Sequence, residues 1–165
     1  VGNSILFDSD GLVSFNTTSL ILSEMNTSIV NLNSQYIIKE DMLYFQCGIP
    51  SLGYELCVSN GDDAWLHFDY ASGMDSSTPQ HFTIVDERLV SIVNHPTEGG
   101  QLVEVRDEGV DLLWDYHSGD FDAGNQGEIW FDNQMIYFIG DDPTVGLEMY
   151  GWAYGELTDD WIVIH

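Results

Sequence analysis

The chain has 165 residues, enough for one domain with a substantial core and short of two ordinary ones. With 44% apolar residues it is no disordered acidic tail, yet 28 acidic residues stand against three basic ones, a net charge of −25. That balance excludes ordinary binding to nucleic acid or anionic membrane, and no apolar run approaches the roughly 18 residues of a transmembrane helix. The start at Val1 without Met, with no visible leader, leads us to expect a processed mature chain or an excised domain.

In chain order the first pattern is Leu6-Phe7-Asp8-Ser9-Asp10-Gly11-Leu12-Val13-Ser14-Phe15, two strand-like runs about an Asp-Gly turn. Two sequons follow, Asn16-Thr17-Thr18 and Asn26-Thr27-Ser28, so Asn16 and Asn26 are candidate glycan acceptors in an exported protein. Ile37–Phe45 reads as a second hairpin. Cys47 and Cys57 fit neither a zinc spacing nor a C-x-x-C motif. Export favours a disulfide between them. The strand reading opposes one, because it sets them on adjacent strands about three positions out of register.

The chain then repeats itself. Phe68-Asp69-Tyr70-Ala71-Ser72-Gly73 returns as Trp114-Asp115-Tyr116-His117-Ser118-Gly119, 46 residues later. Thr83–Ile92 corresponds to Ile129–Phe138 at the same offset. Met42, Leu89 and Met135 are expected to share one buried place in the unit, and Gly53, Gly100 and Gly146 another. The units fall at about 1–33, 34–81, 82–127 and 128–165, each reading as four short strands. In the third these are about 82–86, 88–94, 101–106 and 110–116. No helix is expected. The predicted fold is all-β, a single four-bladed β-propeller of four-stranded antiparallel repeats. The alternatives are a β-sandwich, a β-prism, or part of a larger propeller.

Gly53-Tyr54-Glu55-Leu56-Cys57-Val58-Ser59-Asn60-Gly61-Asp62 resembles the ELWxxDGT repeat of large bacterial surface and secreted proteins. Glu55-Leu56 takes the place of the family's Glu-Leu and Asn60-Gly61 that of its Asp-Gly, while Cys57 replaces its tryptophan. The linker Ser72–Pro79 and the following Phe82-Thr83-Ile84-Val85 are similar to that family's inter-repeat segment. The resemblance covers about half the chain and is strongest in the second unit. It implies a propeller-like, extracellular, adhesive or scaffolding role with no catalytic residues.

Two further groups are candidate sites. The loop Gly119–Glu128 has Asp-x-Asp spacing, glycines and a later carboxylate, making Asp120, Asp122 and Glu128 candidate calcium ligands. It lacks the third Asp and the full EF-hand pattern, and a plain acidic, Gly-rich loop between blades is the reading preferred over a calcium site. No other cofactor is expected. Tyr150-Gly151-Trp152-Ala153-Tyr154 alternates three rings with small residues, so Tyr150, Trp152 and Tyr154 form either a ligand platform or a core layer. Five scattered histidines show no metal spacing, and no nucleophile elbow, P-loop or dinucleotide fingerprint occurs.

The expected function is a non-enzymatic extracellular or cell-surface module, acting in adhesion or as the structural subunit of a surface fibre or array. The alternative is a glycan-acting hydrolase or lyase on a propeller scaffold. The apolar terminal segments Ile5-Leu6-Phe7 and Trp161-Ile162-Val163-Ile164 are expected to act as edge strands that recruit a neighbouring copy. A glycan or surface protein is the other expected partner. Nucleic acid and membrane insertion are not.

Overall fold

The computed structural model describes residues 4–8, 12–16, 21–24, 29–115, 122–123, 129–132, 135–142, 146–153 and 162–164. They form an all-β protein of antiparallel sheets, with no helix among the described residues. The first sheet is β1 (Ser4–Asp8), β2 (Leu12–Asn16) and β3 (Ile21–Glu24), in that order. The second is β4 (Val30–Lys39), β5 (Met42–Ile49), β6 (Gly53–Ser59) and β7 (Ala64–Phe68). The third is β8 (Gln80–Val85), β9 (Arg88–His95), β10 (Gly99–Arg106) and β11 (Gly109–Asp115).

The fourth sheet departs from the simple meander. Its strands are β12 (Asp122–Ala123), β13 (Trp130–Asp132), β14 (Met135–Asp142), β15 (Gly146–Ala153) and β16 (Ile162–Ile164). Both β12 and β13 pair with β14, one against Gly140 and Asp141 and the other against Met135–Tyr137. They act as one interrupted first strand. β4 is its counterpart in the second sheet, and there the register with β5 slips twice, between Val30 and Leu32 and between Leu32 and Tyr36. The first sheet holds three described strands, not the four expected, and both terminal strands pair within the chain, β1 with β2 and β16 with β15.

The hairpin turns fix the repeat and correct its phase. Glu40 and Asp41, and again Asp86 and Glu87, all have φ between 46° and 68°. Two central residues with positive φ make the turn whose twist suits a tight hairpin. The next turn closes on a glycine of left-handed φ: Gly53 at 83°, Gly99 at 78° and Gly146 at 86°. In sequence these end Pro50-Ser51-Leu52-Gly53, Pro96-Thr97-Glu98-Gly99 and Pro143-Thr144-Val145-Gly146. In the first of them Leu52 N donates to Ile49 O at 2.9 Å, with Pro50 at the position its fixed φ favours. The equivalent glycine in the third sheet is therefore Gly99, not Gly100. The same turns make Met42, Arg88 and Met135 equivalent, as the first residues of β5, β9 and β14. The shared buried place falls one residue on, at Leu43, Leu89 and Ile136. The expected equivalence of Met42, Leu89 and Met135 is thus one residue out of phase, because a constant offset of 46 ignores one added residue before β14.

The chain divides into two compact units, Val1–Gln80 with Asp107–Gly109, and His81–Arg106 with Val110–His165. In the first, Ile29, Leu43, Phe45, Cys47, Cys57 and Ala64 form a buried cluster with Ile49 packed against it. In the second, Val85, Val90, Ile92 and Leu102 of the third sheet meet Ile136, Phe138 and Tyr150 of the fourth, with Ile129 beside them. The third sheet is buried on its reverse face too, through Leu89, Ser91, Val93, Val103 and Val105. Each fully buried large aliphatic side chain contributes about 1.5–3 kcal/mol of apolar transfer.

Candidate functional site

Strand β6 opens Gly53-Tyr54-Glu55-Leu56, and period-two alternation puts Glu55 on the same face as Cys57. Glu55 is fully buried. A buried carboxylate is costly unless donors surround it, and residues 69–79, the segment leaving β7, supply them. Ser77 N donates to Oε1 at 2.9 Å, Ser77 Oγ to Oε2 at 2.5 Å, and Tyr70 N to Oε2 at 3.1 Å. Ser76 Oγ accepts from Tyr54 N at 2.9 Å, and Thr78 N donates to Tyr54 O at 3.0 Å. The segment lies so close that a Cβ on Gly53 would meet Ser76 Oγ at 2.5 Å and Asp75 O at 2.7 Å. The result is a strap clasped along the start of β6. Burial, and then the Asp69 charge, push the Glu55 carboxyl above its usual range, against the lowering effect of the Ser77 and Tyr70 hydrogen bonds.

Glu55 thus serves the backbone, and its oxygens face donors from its own chain. The pattern repeats in weaker form. Two residues after Gly99 stands Gln101, also buried, whose Nε2 donates to Glu98 Oε2 at 3.1 Å. The third sheet holds its own buried carboxylate, Glu104, approached by Arg106 at 3.0 Å and Arg88 at 3.5 Å. Two of the three basic residues of this acidic chain therefore converge on one buried acid. Sequence reading missed this pairing, although the scarcity of cations made each of them worth following.

The fourth sheet presents the other notable surface. Register places Trp130 opposite Tyr137 and Ile139 opposite Met149, all on the face away from the Phe138–Tyr150 core, with Leu147 beyond Met149 on the same face. Leu147 is 56% exposed, Trp130 43% and Met149 42%. The inner strands β9 and β10 of the third sheet are buried on both faces, whereas this face of the fourth sheet is exposed.

Tyr150 is no ligand platform. It is 1% exposed and stacks on Phe138, ring centroids 5.7 Å apart, because its side of β15 turns toward the third sheet. Trp152 stands opposite Ile136 in the ladder, and Tyr154 lies outside the described residues. Of the candidate calcium ligands, Asp122 pairs with Asp141 in the β12–β14 ladder, while Asp120 and Glu128 lie outside the described residues. Among the described residues no group of three or more His, Cys, Asp or Glu is placed to hold a metal ion. Asn16 ends β2, opposite Ser4 and Ile21, and Asn26 lies outside the described residues.

Cys47 and Cys57 form a disulfide, their Cα atoms 5.8 Å apart. Cys47 lies opposite Glu55 and Cys57 opposite Phe45. The offset is two positions rather than the three expected, and an even offset keeps both side chains on one face.

No family model matches the sequence, and no curated protein matches it. Among solved structures, the crystal structure of the computationally designed Ika8 protein is similar, with a TM-score of 0.51 and 9% identity. The match covers 92% of this chain and 43% of that one, so the chain spans less than half the length of the structure it resembles. At that identity the likeness is one of fold.

Proposed function

We propose that the chain is an extracellular, non-enzymatic β-propeller module, akin to the ELWxxDGT-repeat surface proteins, that acts as an adhesive or structural subunit by associating with further copies of itself. The observation that carries this reading is the exposed apolar face of the fourth sheet, through Trp130, Leu147 and Met149. A sheet face of this composition gains most by being covered, as both faces of the inner strands β9 and β10 of the third sheet are. A head-to-tail contact on it builds a ring or fibre. The repeated antiparallel sheets support the propeller, and the Cys47–Cys57 disulfide supports an oxidising compartment. The terminal strands β1 and β16 each pair on one side within the chain and stand at the edge of their sheets, so strand addition there belongs to the same proposal. Calcium at Asp120, Asp122 and Glu128 and glycans at Asn16 and Asn26 belong to the same proposal.

Photo-crosslinking tests it. With a benzophenone amino acid at position 147, the reading expects covalent dimers on irradiation, and none with the group at Thr97 in an exposed turn. Equal yields of dimer from both positions, or none from position 147, overturn it.

A further inference from the structure

The turn between β6 and β7 runs through Asn60-Gly61, the one Asn-Gly pair in the sequence. The turn calls for both residues. Asn60 Oδ1 accepts from Asp62 N at 3.0 Å and from Asp63 N at 2.9 Å, so the side chain caps two backbone donors. Gly61 has φ 93°, a conformation that side chains disfavour. The same pair is the most labile setting for an asparagine amide. Covalent connectivity sets Gly61 N beside Asn60 Cγ, and glycine carries no side chain to hinder closure of a succinimide ring. Asn60 is exposed, so water reaches it.

Against that lability stands Ser59, fully buried at the end of β6. Its Oγ accepts from Gly61 N at 3.0 Å and donates to Asp63 O at 2.8 Å, and Gly61 is buried as well. Gly61 N must lose its proton before it can attack. A buried N–H held by an acceptor does so only when its segment opens, as in amide hydrogen exchange.

We propose that Asn60 is a modification site, converting to aspartate and isoaspartate, and that the Ser59 hydroxyl gates the reaction. When the turn opens, Gly61 N gives its proton to solvent and attacks Asn60 Cγ. The new C–N bond closes the succinimide, the Cγ–Nδ2 bond breaks, and Nδ2 leaves as ammonia with a proton taken from water. Water then adds to either ring carbonyl. Opening at Cγ gives aspartate, and opening at the backbone carbonyl gives isoaspartate, whose main chain is longer by a carbon. Overall, amide and water become carboxylate and ammonium. Aspartate keeps an acceptor for Asp62 N and Asp63 N. The longer isoaspartyl chain cannot keep both the bond from Asn60 N to Asp63 O at 3.3 Å and the pairing of Ser59 with Ala64. It therefore unseats the start of β7, where Ala64 belongs to the buried cluster, and the turn does not reseal.

The test follows residue 60 by peptide mass mapping, with an isoaspartyl-specific methyltransferase as a second label. Wild type is incubated folded and unfolded in urea at one pH. The folded protein is expected to convert at least about tenfold more slowly, by the factor that the exchange protection of the Gly61 amide gives independently. Folded Ser59→Ala is expected to recover most of the unfolded rate at residue 60. Conversion of folded wild type as fast as in urea, a slowing that departs from the Gly61 protection, or no conversion in either state overturns the proposal. So does a folded S59A that converts at the wild-type rate. The wild-type comparisons stand even where S59A fails to fold.

Discussion

Ser77 Oγ donates to the Glu55 carboxylate at 2.5 Å across 22 residues of sequence, and both side chains are fully buried. This one bond turns a Ser-rich linker into a strap. It also explains why a glutamate follows the turn glycine of β6: the carboxylate gathers backbone N–H groups that a segment without secondary structure leaves unpaired. Ser77→Ala removes the hydroxyl donor but keeps both backbone donors. It should cost about 1–3 kcal/mol in urea unfolding. Wild-type stability in this variant would show that the backbone donors alone suffice.

Gly53 and Gly146 separate conformational strain from close approach. Both have left-handed φ, 83° and 86°, but only at Gly53 would a Cβ collide with the strap. Gly146→Ala should lose about 1–2 kcal/mol from backbone strain alone. Gly53→Ala should lose clearly more, and should expose the 74–78 segment to protease. Equal losses in thermal melts would mean that the strap yields freely.

Much of the architecture was legible in the sequence. The strands of the third sheet fall within one or two residues of their expected bounds, because its turns are Asp, Glu, Pro and Gly and its strands are Val, Ile and Leu. The phase of the repeat was not legible, since Met42 and Met135 match each other better by eye than either matches Arg88. Backbone φ settles it at Asp86, Glu87 and Gly99. The split first strand of the fourth sheet was hidden for a different reason: a two-residue strand carries no periodicity. The clasp was half visible. Glu55 was singled out by resemblance, but its partners lie 15 and 22 residues on, beyond the reach of local pattern. At Tyr150 alternation places rings on one face and leaves platform and core layer open, because it says nothing about which face is covered.

The corrected phase has its own test. Leu89 is fully buried, whereas Met135 is only partly so. Leu89→Ala should cost about 2–5 kcal/mol, and Met135→Ala well under half of that. The reverse order would restore the phase in which Leu89 and Met135 are equivalent.

The disulfide closes a short loop within a buried cluster. The double variant Cys47→Ala and Cys57→Ala should lower stability by about 2–3 kcal/mol through the unfolded chain. Both sulfurs lie in fully buried residues, so reductant should act only through unfolding, at a rate independent of its concentration once the reductant is abundant. Rapid reduction of the native protein would contradict this placement.

Self-association through the outer face of the fourth sheet is the central claim, and sedimentation velocity tests it most directly. A net charge of −25 opposes contact between copies at low ionic strength. The measurement therefore belongs in about 1 M salt, where the screening length falls to about 3 Å. Wild type should show a weight-average sedimentation coefficient that climbs with protein concentration, more steeply in high salt than in low. The double variant Leu147→Glu and Met149→Glu should stay monomeric with an unchanged melting temperature. A wild-type monomer at every concentration in high salt, or a double variant that associates as wild type does, would contradict the account.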